Sequence, residues 1–339
     1  MWISRGFSNQ TNLVQMRTLM SLPLETSPLP SQLPLRGQIH LWVPRLLNTI
    51  HAPKNQAEIA RGAANFATIE NRLKTLAGPQ LSDSKIPKII HLVFGLKQSE
   101  ALPFYAKMAV LSARHHNPDW QVMFHYTHEP NGKYWDELKP KLILNQVPSL
   151  DYVGNAPMRH YAHKADVLRL LALYHIGGAY LDIDTLTCRS FEDLRDQQFV
   201  MSIQRKLPGQ PGGLCNAIML GARGSAFAKL WIEYAHHCRS AGKDWLYDFN
   251  AVKLPAILAY RRPELLTVLK PQAFFEPLWD TVMAKMFSEQ PNLNEPPPEN
   301  YAIHLWNNMI KVQLDSLDEN YVKTSNSLYA RLARPALNS

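Results

Sequence analysis

Two carboxylates alternate within one short apolar run near the middle of the chain. Asp182 and Asp184 lie in the sequence Ala-Tyr-Leu-Asp-Ile-Asp, which alternates apolar and polar residues as a half-buried strand does. The pattern predicts a strand over 179–184 with Tyr180 and both acids on one face, where residues two apart are roughly 6 to 7 Å apart at Cα. Mg²⁺ and Mn²⁺ prefer oxygen ligands, so both acids could reach one hydrated cation. A strand end with merely solvated acids fits the same pattern.

A helix is predicted directly upstream of this strand. The residues from Met158 to Ile176 include many strong helix formers, and Gly177 supplies the left-handed position with which helices often end. Asp166 and Arg169 are three positions apart and therefore share one face of this helix. The pair either belongs to the same site as the two acids or is an ordinary ion pair worth roughly a few tenths of a kcal/mol at a surface.

Several motifs, taken in order along the chain, resemble one known family. They are Ile86-Pro87-Lys88-Ile89-Ile90-His91, Ala165-Asp166 with Arg169, Gly177-Gly178 with Tyr180-Leu181-Asp182 and Asp184, and His304-Leu305-Trp306-Asn307. This ordered set resembles the sugar-binding region of DXD-containing glycosyltransferases. That family includes initiating mannosyltransferases, capsular polysaccharide transferases and the glucosylating domains of clostridial toxins. The resemblance covers roughly residues 85 to 312.

The resemblance implies a catalytic set made of Asp166, Arg169, Asp182 and Asp184. In the family, the helix acid and arginine bind hydroxyls of the donor sugar, which gives Asp166 and Arg169 that role. The DXD acids bind the donor ribose and a metal ion, and Tyr180 joins the donor-binding residues beside them. A divalent cation, Mn²⁺ or Mg²⁺, would stabilise the departing diphosphate of a nucleotide-sugar donor as a Lewis acid.

The late motif implies a third metal ligand. The family places a side chain that contacts metal or phosphate two residues before a tryptophan, and His304 and Trp306 occupy these positions. The implied metal set is therefore Asp182, Asp184 and His304, with Trp306 among the donor-binding residues. A neutral His304 could instead donate a hydrogen bond to phosphate.

The first family motif is predicted to be a buried parallel strand that ends at a nucleotide pocket. Lys88 to Gly95 is a short apolar, β-branched run closed by glycine. Ligands in open α/β sheets bind beyond the carboxyl ends of strands, so Val93 and Phe94 are candidate donor-binding residues, with Phe94 able to stack on a base. Phe94 fits core packing equally well. His91 is either a donor-binding residue or a core histidine.

The predicted fold is α/β and GT-A-like, with a mixed, mainly parallel sheet flanked by helices and preceded by a partly helical N-terminal extension. The predicted boundaries are 1–84 for the extension, 85–325 for the transferase domain and 326–339 for a C-terminal tail. The extension contains a proline-rich linker over 21–36 and a helix over 55–77 that ends at Gly78-Pro79. This helix either packs on the catalytic domain or binds a membrane or partner.

Four further segments follow the two acids in the chain. We expect a strand from Cys215 to Leu220 in which Asn216 faces the sugar or caps a turn. Helices are predicted over 225–237 and 245–260. A loop over 290–300 has the length of an active-site lid and returns the chain to a strand at 301–304.

The predicted reaction is metal-dependent transfer of a hexose or N-acetylhexosamine from a UDP- or GDP-sugar to a saccharide, lipid-linked or protein acceptor. The resemblance implies retention at the anomeric carbon. One alternative is a haloacid-dehalogenase-like phosphohydrolase, which also places Asp-x-Asp after a strand. That pattern needs Thr or Val four positions after the first acid, where Leu186 stands, with Thr185 one place early. The other alternative is a catalytically inactive sugar-binding or interaction protein.

Composition bounds the partners and the compartment. The chain has 339 residues, 46% hydrophobic content and a net charge of +8, and its basic residues are scattered. This charge suits anionic substrates and is compatible with peripheral membrane contact, but it does not indicate nucleic-acid binding. Three cysteines, Cys188, Cys215 and Cys238, fit a reducing compartment. Without an apolar stretch of 18 residues or a secretory segment, we expect a cytoplasmic enzyme, with signal-less export as an alternative.

Overall fold

A computed structural model describes residues 56–79, 85–154, 156–207, 210–235, 240, 247–289 and 299–339. The predicted linker at 21–36 and most of the predicted lid at 290–300 lie outside these ranges. The α-helices are α1 (Gln56–Ala77), α2 (Phe104–His116), α3 (Lys133–Leu138), α4 (Tyr161–His175), α5 (Ala226–Ala235), α6 (Leu254–Arg261), α7 (Val282–Phe287), α8 (Asn307–Asp315), α9 (Glu319–Thr324) and α10 (Leu328–Ala333). The strands are β1 (Ile89–Val93), β2 (Gln121–Tyr126), β3 (Ile143–Gln146), β4 (Tyr152–Val153), β5 (Ala156–Pro157), β6 (Gly178–Leu181), β7 (Thr185–Thr187), β8 (Phe199–Leu207), β9 (Gln210–Gly221), β10 (Thr267–Leu269) and β11 (Ala302–His304).

The central sheet has seven strands in the order β10-β8-β9-β6-β1-β2-β3. β1 pairs in parallel with β2 and with β6, β2 pairs in parallel with β3, and β8 pairs in parallel with β10. β9 runs antiparallel to both β6 and β8. The sheet is therefore mixed and mainly parallel, which confirms the predicted fold class. The predicted strand at 88–95 corresponds to β1, and the one at 301–304 corresponds to β11. The predicted strand at 215–220 forms part of the longer β9.

Helices cover both faces of this sheet because neighbouring residues of its buried strands point to opposite sides. On β1, Ile90 and Leu92 pack into one apolar cluster with α2 and the C-terminal helices. Val93 packs into the other cluster, which contains residues of α1, α4, α5 and α6. Continuous apolar sequence in β1 thus reflects burial on both sides.

Two segments outside the predicted catalytic core pack firmly against it. The predicted N-terminal helix is confirmed as α1, whose Ile69 and Leu73 are fully buried in the same cluster as α4. Residues of the predicted C-terminal tail over 326–339 also pack on the core, because α10 places Tyr329 in the main core cluster, where it is fully buried. Apolar residues at helical spacing among polar ones account for this packing. The domain boundaries themselves stay predictions.

The turn between α4 and β6 sets the direction of the chain toward the two acids. His160 is the N-cap residue of α4, and its side chain accepts a hydrogen bond from the Ala162 N–H. The helix ends before Gly177, which has φ +78°. Gly178 has φ +124°, and a Cβ there would lie 2.3 Å from the carbonyl oxygen of Ile89. Only glycine fits both the backbone conformation and this close approach to β1.

The structure tests only part of the predictions about compartment and membrane contact. Within the described ranges, no helix is both long enough and apolar enough to cross a bilayer. Cys188 and Cys215 are free thiols, and Cys238 lies outside the described residues. Cytoplasmic localisation and peripheral membrane contact stay predictions.

Candidate active site

A cavity of about 910 Å³ opens at the carboxyl ends of β1 and β6. Its walls come from the first half of α4, from β9 and from the chain that follows β11. It brings together the predicted residues Val93, Phe94, Asp166, Arg169, Tyr180, Asp182, Asp184, Asn216, His304 and Trp306. Residues separated by more than 200 positions in sequence thus share one cavity.

The two acids lie in a turn rather than on the predicted strand. β6 ends at Leu181, and the backbone N–H of Asp182 makes a last 2.8 Å hydrogen bond to the Ala217 carbonyl of β9. The Thr185 hydroxyl then donates to the Asp182 carbonyl at 2.9 Å and closes a turn that leads into β7. The prediction of a strand through residue 184 was therefore wrong. The turn, not strand alternation, directs both carboxylates into the cavity.

One part of the site is a buried cluster of Asp166, Arg169 and Asn216. Arg169 Nη1 donates to the Asn216 carbonyl oxygen at 2.8 Å and to its side-chain Oδ1 at 3.0 Å. Asn216 Nδ2 donates to Asp166 Oδ1 at 2.8 Å. The Asn216 amide therefore joins the acid to the arginine, and the turn-capping alternative does not describe it.

Asp182 connects this cluster to the part of the cavity where Asp184 and His304 lie. Its Oδ1 atom lies 3.1 Å from Arg169 Nη1 and accepts a 2.7 Å hydrogen bond from the Tyr180 hydroxyl. The Arg169 guanidinium also lies 4.4 Å from the centre of the Tyr180 ring. Burial, together with the nearby Asp184 carboxylate, raises the pKa of Asp182, although Arg169 acts in the opposite direction.

Asp184 is held by the chain that follows β11. β7 and β11 pair antiparallel, so that His304 lies opposite Thr185. His304 Nε2 is 3.3 Å from Asp184 Oδ1, and the Asn307 N–H donates to Asp184 Oδ2 at 2.7 Å. The Leu305 N–H adds a 2.8 Å hydrogen bond to the Asp184 carbonyl oxygen. The late motif is thus fixed to the DXD turn by both backbone and side chain.

Asp184 and His304 each stabilise the charged form of the other. Burial alone would raise the pKa of Asp184, but His304 and the Asn307 N–H outweigh it and hold this pKa below its ordinary value. Burial alone would lower the pKa of His304, but Asp184 and Asp182 outweigh it and raise this pKa. An ion pair in a buried place is the physical cause of both shifts.

Asp182, Asp184 and His304 have the chemistry and spacing of a divalent-cation site. Each offers one ligand atom, and these atoms lie within 4.8 Å of one another. Ligand atoms of an octahedral Mg²⁺ ion are roughly 3 to 4 Å apart, so small side-chain movements suffice. The buried Nδ1 atom of His304 has no hydrogen-bond partner, which indicates that the protein alone does not satisfy this imidazole. The residues present therefore fit a divalent cation.

Trp306 shapes this corner of the cavity. It has φ +57°, a left-handed conformation that is costly for a residue with a large side chain. The Trp306 indole N–H donates to the Pro277 carbonyl at 3.2 Å, and its ring lies 4.3 Å from the His304 ring. The sharp turn at Trp306 lets α8 begin at Asn307 with its N–H on Asp184.

His91 does not reach the cavity, and the expectation that it contacts the donor is wrong for this structure. Its side chain is 0% exposed. Its Nδ1 atom lies 2.9 Å from His125 Nε2, and its Nε2 atom lies 2.9 Å from the Gly177 carbonyl oxygen. Burial lowers the pKa of His91 to about 4. The core-histidine alternative is the correct one, because residue 91 points between the sheet and its helices while Val93 and Phe94 reach the sheet edge.

Sequence reasoning missed several polar and aromatic residues that line the cavity. Among them are Tyr105, Tyr161, Tyr247, Trp279 and Asn307. Two had a usable signal, since Tyr161 begins the helix that carries Asp166 and Asn307 directly follows Trp306. Tyr247 and Trp279 belong to segments with no motif, and only the folded chain brings them to the site.

Comparison with known proteins agrees with this geometry. The sequence profile of the glycosyltransferase sugar-binding region containing the DXD motif matches residues 103–201. Glucan organizing enzyme 1 of Cryptococcus neoformans var. grubii is 33% identical over 268 residues, which cover 76% of this chain and 72% of that protein.

More distant likenesses come from solved structures. PaToxG glycosyltransferase has a TM-score of 0.40 and 15% identity over 66% of this chain and 80% of its own. The apo form of the glycosyltransferase GlyE of Streptococcus pneumoniae has a TM-score of 0.42 and 12% identity over 74% of this chain and 60% of its own. The sequence matches do not favour the phosphohydrolase or the inactive binding protein. This chain belongs to the glycosyltransferases whose sugar-binding region contains the DXD motif.

Proposed function

We propose that this enzyme transfers a hexose or N-acetylhexosamine from a UDP- or GDP-sugar, with a divalent cation and with retention at the anomeric carbon. The observation that carries the proposal is the position of Asp182. Its carboxylate lies against Arg169 on one side and belongs to the Asp182–Asp184–His304 group on the other. The Asp182 carboxylate thus lies between the proposed sugar-binding cluster and the proposed cation site. A nucleotide sugar needs these two sites side by side, because its sugar is bonded directly to its diphosphate.

Each end of the donor has a matching part of the cavity. Asp166 and Arg169, held by Asn216, would hydrogen-bond to the donor sugar. Val93 and Phe94 line the cavity at the end of β1, where a nucleoside would lie. A cation held by Asp182, Asp184 and His304 would neutralise negative charge on the diphosphate as the glycosidic bond breaks.

The hydrogen bonding of the carboxylates favours retention by front-face attack. Asp166, Asp182 and Asp184 each accept hydrogen bonds from protein groups, which leaves these acids poorly placed to serve as a covalent nucleophile. In the proposed step, the acceptor oxygen bonds to the anomeric carbon as the bond from that carbon to the phosphate oxygen breaks. The acceptor proton passes to the departing phosphate.

The fungal relative bears on the acceptor. Its name refers to glucan, which favours a saccharide acceptor and a role in polysaccharide synthesis over a lipid-linked or protein acceptor. The donor sugar and nucleotide are left to experiment, because selection among hexoses depends on a few contacts within the cavity.

A donor screen tests the proposal directly. The protein is incubated with Mn²⁺ and separate UDP- and GDP-sugars, and nucleoside diphosphate release and thermal stabilisation are measured. We expect one donor to stabilise the protein and to be cleaved only with the cation, and Asp182→Asn or Asp184→Asn to reduce cleavage on the order of 10³-fold. Asp136→Asn, which changes an exposed acid on α3, is the matched control. Absence of donor binding, with both DXD variants behaving as wild type, would show the proposal to be wrong.

A further inference from the structure

One face of α4 carries three polar residues at helical spacing. His163, Asp166 and Arg169 are each three positions apart, so their side chains form one row along the helix. All three line the cavity, and His163 is only 3% exposed. Asp166 and Arg169 belong to the proposed sugar-binding cluster, whereas the partners of His163 lie outside that cluster.

His163 ties α4 to the chain between α5 and α6. Its Nε2 atom lies 3.0 Å from the Tyr247 carbonyl oxygen, and its Nδ1 atom lies 2.9 Å from Ser240 Oγ. Because a carbonyl can only accept, Nε2 carries the proton, and Nδ1 accepts from the Ser240 hydroxyl. Ser240 Oγ in turn accepts from the His160 N–H at 3.0 Å, and Ser240 forms a parallel β-bridge with Met158. One imidazole therefore fixes two positions that are seven residues apart in sequence.

The Tyr247 side chain packs back onto the same end of α4. Its ring centre lies 5.2 Å from that of His163 and 5.4 Å from that of His160, and the last two rings are nearly perpendicular to each other's neighbour at 85° between His160 and Tyr247. Tyr247 also lines the cavity. Burial raises the pKa of Tyr247 to about 12, and the charge of the Asp166 carboxylate is the next cause. The phenol therefore lies within reach of that charge and offers a hydroxyl beside the sugar-binding cluster.

The bond from His163 addresses the backbone of Tyr247 and not its side chain. Tyr247 lies in a turn before the helical segment Phe249–Lys253, so no strand pairing fixes its backbone. A hydrogen bond to its own carbonyl sets the point from which the ring extends into the cavity. A side chain held in place before the ligand arrives binds with a smaller loss of conformational entropy.

We infer that His163 is a positioning residue, which holds Tyr247 beside Asp166 so that the Tyr247 hydroxyl hydrogen-bonds to the donor sugar. This inference rests on the proposed function, because it requires the donor sugar to occupy the Asp166–Arg169 cluster. The contact is made to the bound sugar before and during bond cleavage. Its loss should therefore raise KM for the donor more than it lowers kcat.

Donor kinetics of single and double variants test this role with the full chain and Mn²⁺. The donor is the one that the screen selects among UDP-glucose, UDP-galactose, UDP-N-acetylglucosamine and GDP-mannose. We expect Tyr247→Phe and His163→Leu each to raise the donor KM about tenfold, because one hydrogen bond to the sugar is lost in both. The double variant should have the same KM as Tyr247→Phe alone, because His163 acts through the Tyr247 hydroxyl. Effects that multiply to about hundredfold would overturn the inference.

Two conservative variants separate the two contacts of His163. His163→Gln keeps an amide N–H at the distance of Nε2 and can still donate to the Tyr247 carbonyl, so its donor KM should lie within about threefold of wild type. His163→Asn reaches only as far as Nδ1, toward Ser240, and should behave like His163→Leu. Equal KM values in the glutamine and asparagine variants would count against positioning through the Tyr247 carbonyl.

His175→Leu is the matched control on the same helix. His175 is 7% exposed, and its Nε2 atom lies 3.0 Å from Glu70 Oε1 on α1, away from the residues that line the cavity. This variant should lower the unfolding temperature and leave the donor KM unchanged. An equal rise in KM would show that His163 merely supports α4 and would overturn the inference.

The same assay distinguishes the two levels of the proposal. Donor cleavage by wild type with an unchanged KM in Tyr247→Phe and His163→Leu would overturn the role of His163 and leave the proposed function intact. If wild type cleaves none of the four donors, the proposed function is wrong and the inference falls with it.

Discussion

Two histidines in this protein, His304 and His91, lie in hydrogen-bonded clusters with opposite character. His304 borders the cavity beside Asp184, and this charged partner raises its pKa. His91 lies in the core beside neutral partners, and burial lowers its pKa to about 4. The comparison teaches that the charge of the partner, and not the histidine or its burial, separates a candidate ligand-binding group from a structural one.

The core cluster is a complete chain of hydrogen bonds. The Gly177 carbonyl can only accept, so His91 donates through Nε2 and its Nδ1 accepts from His125 Nε2. His125 Nδ1 then accepts from Asn145 Nδ2 at 2.8 Å, and Asn145 Oδ1 accepts from Arg72 Nε at 2.6 Å. Both rings can stay neutral with every nitrogen paired. The chain joins α1, three strands of the sheet and the turn before β6.

By comparison, the hydrogen bonding around His304 at the cavity is incomplete. His304 Nδ1 and Asn307 Oδ1 are buried without a hydrogen-bond partner, and the Asp182 side chain is 25% exposed. Buried polar groups are normally paired, and each exception needs an explanation. A ligand bound in the cavity would supply the missing contacts, whereas the core chain needs none.

Within this comparison, the largest effect is expected from replacing the two histidines in turn. His304→Ala should lower donor cleavage about hundredfold, or about 3 kcal/mol at the transition state, because it removes a proposed metal ligand. His91→Leu should instead lower the free energy of unfolding by about 2 to 4 kcal/mol, because the Gly177 carbonyl and the His125 N–H lose their partner. Kinetic assays and urea denaturation of both variants check this.

The two variants should also differ in metal affinity. Mn²⁺ titration by calorimetry should show weaker binding in His304→Ala and wild-type binding in His91→Leu. Equal loss of activity per folded molecule in both would erase the distinction between the clusters.

The cavity and the core each contain one asparagine whose side chain bridges two neighbours. Asn216 bridges Asp166 and Arg169 at the cavity, and Asn145 bridges His125 and Arg72 in the core. Asn216→Ala should lower kcat/KM about ten- to hundredfold, because Asp166 and Arg169 lose the amide that holds them in register. Asn145→Ala should cost about 1 to 3 kcal/mol of stability and leave kcat/KM of the folded enzyme unchanged. Steady-state kinetics at temperatures well below both unfolding transitions separate the effects. A fall in kcat/KM for Asn145→Ala as large as for Asn216→Ala would contradict the comparison.

The smallest expected effect, taken per pH unit, is the change in the free energy of unfolding with pH. The pKa of His91 is about 4 in the folded protein and about 6.5 when unfolded, so the unfolded chain binds the extra proton between these values. Its contribution to stability is therefore present above pH 6.5 and is lost as the pH falls toward 4, by up to about 1.4 kcal/mol per pH unit. The raised pKa of His304 acts with the opposite sign in metal-free protein, because its contribution is present at low pH and lost on raising the pH.

Urea denaturation at pH 7 and pH 5 in the presence of a chelator measures this slope. His91→Leu should reduce this slope but not abolish it, because burial also lowers the pKa of His116 and His125. His128→Gln, which changes an exposed histidine after β2, should leave the slope unchanged. A slope in His91→Leu equal to that of wild type would assign the acid sensitivity to other groups.

Local pattern predicted those elements whose own residues determine them. Apolar runs closed by glycine predicted β1 and the end of α4 at Gly177, and a repeat of three to four residues predicted α1. The alternation of apolar and polar residues wrongly predicted that the strand continues to Asp184. The sequence Asp-Ile-Asp fits both a strand and a short turn, and the hydrogen bond from the Thr185 hydroxyl to the Asp182 carbonyl makes it a turn. The pairing of β7 with β11 has no local signature either, since its strands are more than 100 residues apart.

The sequence by itself determined the family, the α/β class and the residue types of the candidate site, because these depend on local pattern and on an ordered set of motifs. Tertiary structure alone decided which residues meet. It removed His91 from the site by pairing both of its nitrogens in the core, it gave Asn216 a bridging place, and it brought Tyr247 and Trp279 to the cavity wall. Hydrogen-bond pairing and the direction of a side chain depend on contacts distant in sequence, so no local pattern encodes them.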